Sequence, residues 1–244
     1  MLQRDIALLL FIGCLQVPVF AQQRTMNNTY QKEWAQADSL LNRGLPKSAA
    51  DVVRKILKVA EAGQDKPNMI KARLFLMDAD LGTEEEAGTR QIKEAEAFIG
   101  SSTGVEKAIW QSIAAQLYWN YFQQNRWKMY QRTAMAETKS DDIDTWDAPA
   151  FFSKIGSLYK ASIADRALLK GVPVEKYQPV LIEGTNTRKL RPAIYDLLVF
   201  RALSFFQNDE KDVIHPPDQF TIEGAMWFDD APAFSQLKVK VKNA

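Results

Sequence analysis

Cysteine and histidine are almost absent from this sequence. Cys14 is the only cysteine and His215 the only histidine among 244 residues. Cysteine and histidine are the usual zinc ligands, so the composition argues against a zinc site, and one cysteine cannot form an internal disulfide. A serine nucleophile would have to use His215 as its base, and no serine lies in a Gly-x-Ser-x-Gly motif. The sequence therefore predicts no metal, no cofactor and no catalytic residues.

The sequence also lacks an excess of charge of one sign. It has 31 basic and 30 acidic residues, so no overall field attracts nucleic acid. Its 11 glycines are scattered rather than gathered in a phosphate-binding loop. We therefore expect a protein that does not bind nucleic acid.

The N-terminus holds the one marked apolar run. Arg4 precedes Ile6–Cys14, which is too short to cross about 30 Å of hydrocarbon. Val19 and Ala21 are small residues at the −3 and −1 positions of a cleavage site. This layout predicts a signal peptide over residues 1–21 and export to the periplasm or outer cell envelope, with no membrane span in the mature chain.

Apolar residues recur at helical spacing over residues 30–122, which predicts five helices with short glycine-containing turns between them. Short turns place successive helices antiparallel. The predicted fold class is therefore all-α, with stacked antiparallel helical hairpins in a repeat-like domain over residues 22–212. The fifth helix is predicted to end at Phe122, with Ile109, Ile113, Leu117 and Tyr121 facing inward.

The second half of the chain is less regular. Acidic residues 137–147 predict a loop, and apolar spacing predicts a sixth helix over 149–170 and a seventh over 192–208. Residues 213–244 are predicted to be an irregular segment that leads into a missing downstream domain. Within it, Leu237–Val241 alternates apolar residues with lysine, which is the period of a β-strand.

The aspartates of the acidic loop allow two interpretations, which are a calcium-binding loop and a loop exposed to solvent. An EF-hand loop needs glycine at its sixth position and glutamate at its twelfth. Counted from Asp142, these positions hold Asp147 and Ser153. The pattern favours a solvated acidic loop.

Two groups of residues are candidates for an interaction surface. Trp119, Phe122 and Trp127 could form an aromatic platform for a carbohydrate or peptide, or pack against neighbouring helices. Arg188, Lys189 and Arg191 precede the seventh helix, where the helix dipole disfavours cations. Two alternatives compensate this cost: pairing with the acidic loop, or binding of an anionic ligand.

Several short stretches carry a resemblance to a known family. They read, in chain order, GLPKSA at 44–49, QLYWNYFQQNRW at 116–127, DTWD at 144–147, NTR at 186–188 and RAL at 201–203. In this order they resemble the N-terminal region of large secreted bacterial proteins of the alpha-2-macroglobulin family.

The resemblance implies a role in a broad endopeptidase inhibitor that traps a protease after cleavage of a bait region. Many members also use a thioester built from a Cys-x-Glu-Gln motif. This chain has neither the motif nor a completed β-sandwich, so no functional residue of the family is carried onto it. Its partners would be the downstream domains of the same parent chain and, through the parent, proteases.

Three hypotheses follow from the sequence. The first is a non-catalytic helical module at the N-terminus of an envelope inhibitor of this family. The second is a free-standing periplasmic helical-repeat protein that binds a peptide or protein. An α-helical glycan-active enzyme is the third. The first hypothesis requires further sequence after Ala244, and the second does not.

We predict that N-terminal sequencing of the mature protein begins at Gln22, because signal peptidase cleaves after small residues such as Val19 and Ala21. A lipid-modified N-terminus at Cys14, which follows Gly13, would instead show that the protein is a lipoprotein.

Overall fold

The computed structural model describes residues 30–79, 84–130, 142–181 and 187–208, together with Asp230 and Pro232. These residues contain nine α-helices and no strand, which confirms the all-α class. The predicted signal peptide, the predicted strand Leu237–Val241 and nearly all of residues 213–244 lie outside the described residues. The chain divides into two compact units, one up to Leu81 and one from Gly82 onward.

The first unit consists of three helices: α1 (Gln31–Asn42), α2 (Pro46–Ala62) and α3 (Lys66–Ala79). Gly44 ends α1 with a φ of 72°, a left-handed conformation that glycine adopts without steric cost. Pro46 is the first residue of α2, where its missing N–H leaves no hydrogen bond unmade. The buried side chains of this unit are Tyr30, Trp34, Ala37, Ala49, Val52, Val53, Ile56, Ala60, Met69 and Ala72.

Buried polar groups join α1 to the start of α3. The Trp34 indole Nε1 donates to Asn68 Oδ1 at 3.1 Å. Asn68 Nδ2 in turn donates to Asp65 Oδ2 at 2.8 Å, and the Asn68 backbone N–H donates to Asp65 Oδ1 at 3.3 Å. A buried donor without a partner costs about 1–3 kcal/mol, so these bonds fix how the two helices pair.

The second unit contains the remaining helices. They are α4 (Glu84–Ser101), α5 (Gly104–Tyr130), α6 (Ala148–Ser162), α7 (Arg166–Lys170), α8 (Thr187–Leu190) and α9 (Ile194–Phe206). Short 3-10 helices cover Ile143–Thr145 and Val174–Val180. Helix α5 packs against both α4 and α6, and α9 packs against α5, α6 and α7.

Helix α5 extends to Tyr130 and not only to Phe122, which corrects the sequence-based boundary. It buries residues on several faces, Trp110, Tyr118 and Phe122 among them, because it has neighbours on two sides. Of the predicted inward residues, Ile109 and Tyr121 are buried, whereas Ile113 and Leu117 are only half-buried. An apolar stripe along a single face is typical of a helix that packs against one neighbour, and α5 packs against two.

The predicted sixth helix is in fact two helices. Helix α6 ends at Ser162, and α7 begins at Arg166. Asp165 accepts a hydrogen bond from the Leu168 N–H at 3.0 Å and so caps α7. An aspartate that bonds to nearby backbone competes with continuation of a helix, which explains the break. Asp147 caps α6 in the same way, accepting from the Ala150 N–H at 2.9 Å.

We predict that Asp147→Ala lowers the free energy of unfolding by about 0.5–2 kcal/mol, because it leaves an N–H of the first turn of α6 without its acceptor. Urea denaturation followed by circular dichroism measures the change. Asp147→Asn is the matched control and should retain most of the stability, since asparagine also caps helices well. Equal stability of the alanine variant and the parent protein would contradict the capping role.

Candidate functional site

The aromatic residues singled out in the sequence do not share one environment. Phe122 is fully buried, so it belongs to the core and cannot be part of an accessible platform, which corrects its sequence-based assignment. Trp119 is half-buried and lies 5.6 Å from the Phe122 ring and 5.5 Å from the Phe205 ring between centroids. Trp127, five residues beyond Phe122 on α5, is 72% exposed. Of these three aromatic residues, only Trp127 presents most of its surface to solvent.

The cationic candidates lie around α8. Arg191 is half-buried, and its guanidinium carbon lies 3.5 Å from the centre of the Phe200 ring. Lys189 is exposed. The side chain of Arg188 lies outside the described residues, although its backbone belongs to α8. Cation–π contacts of this kind contribute about 0.5–1 kcal/mol at exposed sites.

The described acids of the loop are engaged within the second unit. Asp144 accepts a hydrogen bond from the Tyr121 hydroxyl, and Asp147 caps α6. Asp142 accepts from the Asp144 N–H at 3.0 Å. Among the described residues, no ion pair joins these acids to Lys189 or Arg191. None of the described acids of this loop pairs with Arg191, whose guanidinium lies over the Phe200 ring.

Large apolar side chains remain exposed beside Arg191. Phe200 and Leu203 lie three residues apart on α9 and therefore on one face of it, and they are 48% and 49% exposed. Leu190, which directly precedes Arg191, is 73% exposed. We call Leu190, Arg191, Phe200 and Leu203 the α8–α9 patch. Single exposed leucines are common on protein surfaces, whereas an apolar set with an ordered cation is typical of a binding surface.

A polar network that the sequence did not reveal joins α4, α5 and α6. The Tyr118 hydroxyl donates to Glu96 Oε1 at 2.9 Å, and Lys154 Nζ lies 2.7 Å from the same oxygen. The Tyr118 ring also stacks on Trp146 at 5.8 Å between centroids. Burial, and then the hydrogen bond to Glu96, raise the pKa of Tyr118 well above its ordinary value. Tyr118 therefore acts as a neutral donor that holds the helices together.

A second hidden contact joins α9 to α5. Arg201 Nε donates to Ser112 Oγ at 2.8 Å, and its Nη2 donates to the Ser112 carbonyl at 3.4 Å. The two residues lie 89 positions apart, so no local pattern could have revealed the contact. Hydrogen bonds to a charged donor contribute about 1.5–3 kcal/mol to stability, so this one stabilises the packing of α9 on α5.

The described residues contain no group of three or more histidine, cysteine, aspartate or glutamate side chains that could hold a metal. None of the described helices combines the length and the apolar character that crossing a bilayer requires. Polar contacts such as those of Tyr118 with Glu96 and Arg201 with Ser112 join helices of the second unit. The packing of the second unit can therefore hold exposed side chains in fixed positions. The exposed side chains that it holds are those of the α8–α9 patch and Trp127.

Comparison with known proteins returns no similarity. No family model matches the chain, and neither a curated protein nor a solved structure is detectably similar to it. The resemblance to the alpha-2-macroglobulin family therefore rests on the short sequence stretches alone.

We predict a loss of stability in alkaline solution that depends on Tyr177. Burial, with a smaller effect of Glu106, raises the pKa of Tyr177 to about 12. In the unfolded chain a tyrosine ionises near pH ~10. Between these values the folded state binds more protons, so the free energy of unfolding falls as pH rises from about 10 to 12, and this contribution is fully present below pH ~10.

Urea denaturation at a series of pH values measures this effect. In Tyr177→Phe the free energy of unfolding should fall less steeply between pH ~10 and ~12 than in the parent protein, because the ionising group is gone. Identical slopes for the two proteins would show that Tyr177 ionises at its ordinary pKa in the folded state.

Proposed function

We propose that this chain is a non-catalytic helical interaction module that presents exposed apolar and cationic side chains to a protein partner. The observation that supports this most directly is the α8–α9 patch, where Phe200 and Leu203 remain about half exposed beside an ordered Arg191. Aromatic residues and arginine are the residue types enriched at protein interfaces.

The construction of the second unit supports the same proposal. Helix packing and the contact of Arg201 with Ser112 hold α9 on α5, α6 and α7, so Phe200 and Leu203 lie on a helix that is fixed in place. A surface held in place loses little conformational freedom when it binds. Trp127, which is exposed near the C-terminal end of α5, is a second contact candidate on the same unit.

We further propose the wider setting that the sequence resemblance implies. In this setting the chain is the leading helical module of an exported alpha-2-macroglobulin-like endopeptidase inhibitor of the cell envelope, and its partners include other domains of the parent protein. The short stretches at 44–49, 116–127 and 144–147 support this setting. A free-standing periplasmic helical-repeat protein is the alternative, and it would use the same surfaces.

Site-specific photo-crosslinking tests the interaction module in cells. We predict that a benzophenone amino acid at position 200 or 127 gives a discrete crosslinked product of higher mass, because these side chains project from the fold. The same amino acid at Lys160, an exposed position of α6, is the matched control and should give none. Absence of a product at both 127 and 200 would overturn the proposal.

A further inference from the structure

The stacking of Arg191 on Phe200 determines what the α8–α9 patch can bind. The guanidinium carbon lies 3.5 Å from the ring centre, which is too close for the group to stand edge-on, so its flat face covers the ring. Its N–H groups lie around the edge of the guanidinium plane, so the ring leaves them available as hydrogen-bond donors. An arginine held in this way has already lost much of its side-chain freedom, and its donors are arranged for a carboxylate, which accepts two parallel hydrogen bonds.

The charge around the patch is not neutralised by the described part of the chain. Neither Arg191 nor Lys189 forms an ion pair with a described acidic side chain. The whole chain carries a formal net charge of only +1, so the local positive charge is not a consequence of the overall composition. A partner that supplies carboxylates would therefore meet complementary charge at this place.

The apolar part of the patch sets a second requirement. Phe200 and Leu203 offer an apolar surface one helical turn long, and Leu190 lies next to Arg191 in sequence. Burying such a surface requires an aliphatic or aromatic side chain close to the carboxylates. Nucleic acid can stack its bases on a ring but has no aliphatic anchor for Leu203, and its binding needs a longer basic stripe than Lys189 and Arg191 provide.

We infer that the α8–α9 patch binds an acidic peptide segment of another protein, with carboxylates on Arg191 and Lys189 and an apolar anchor on Phe200 and Leu203. This inference rests on the proposed interaction module and names the chemistry of its partner. From the sequence, binding of an anionic ligand was one of two explanations for Arg188, Lys189 and Arg191. The inference places the anionic groups of that ligand at Lys189 and Arg191 and adds an apolar anchor to it.

Selection from a random twelve-residue peptide library displayed on phage, with the full chain as bait, tests the inference. We expect the enriched peptides to contain aspartate or glutamate within a few residues of an aromatic or aliphatic residue. Synthesised and labelled with a fluorophore, they should bind more weakly as salt is raised, since part of the contact is exposed. Fluorescence polarisation measures the affinity.

Variants locate the binding site. Arg191→Glu and Phe200→Ser should each weaken binding about tenfold or more. Arg166→Glu is the matched charge control, because Arg166 also lies over a ring, that of Tyr195 at 5.7 Å, but outside the patch. Val59→Ser, at an exposed apolar position of α2 in the first unit, is the matched control for Phe200→Ser. Both controls should bind like the parent protein, and circular dichroism verifies that every variant is folded.

Three results would overturn the inference. They are an absence of enriched peptides, enriched peptides without acidic residues, and equal binding by Arg191→Glu and the parent protein. If size-exclusion chromatography shows a dimer that Phe200→Ser dissociates, the patch binds a second copy of the chain instead. If position 127 or 200 gives crosslinks but no acidic peptide is enriched, only this inference is contradicted. If neither crosslinks nor acidic peptides are found, the proposed interaction module is contradicted as well.

Discussion

Burial of helix α5 on two sides is the constraint on which the second unit depends. Because α4 and α6 both pack against it, α5 cannot present a polar face along its whole length. Tyr118, Phe122 and Trp110 fill its contacts and are all almost completely buried. The rings of Phe122 and Phe151 lie 5.9 Å apart between centroids, which joins α5 to α6. The same close packing requires a glycine at position 88, where a Cβ would lie 2.9 Å from the Tyr121 ring.

The buried packing alone does not determine which polar residues meet. Contacts between helices are fixed by hydrogen bonds such as those of Tyr118 with Glu96 and Arg201 with Ser112. A buried donor that loses its partner costs more than the bond contributes when it is made, so these contacts disfavour other pairings of the same helices. The ammonium group of Lys154, which pairs with Glu96, is partly exposed, and ion pairs of this kind contribute only about 0–1 kcal/mol.

The core also decides which aromatic residues remain for contact with partners. Phe122 and Trp127 lie five residues apart on one helix, yet one is fully buried and the other is mostly exposed. Phe200 is exposed because α9 packs through Leu198, Ala202 and Phe205 on its opposite side. An interaction surface in this protein is therefore the part of the apolar surface that helix packing does not use.

The sequence by itself determined the all-α class and most helix positions, because these depend on local properties of the chain. Such properties are the apolar periodicity, the stop signal at Gly44 and the start signal at Pro46. It did not determine the length of α5 or its buried faces, since these depend on how many helices pack against it. It also did not separate α6 from α7, because the competing cap at Asp165 resembles any other aspartate in a helical pattern.

The candidate surface was determined only in part by the sequence. Arg191 was found from its unfavourable position before a helix, but its contact with Phe200 joins residues that local patterns do not relate. Which ring stays exposed, and which cation lies over it, is decided by the packing of α9 on α5 and α6. Tertiary structure alone decides this, because the exposed side chains are those left over after each helix has packed its buried face against its neighbours.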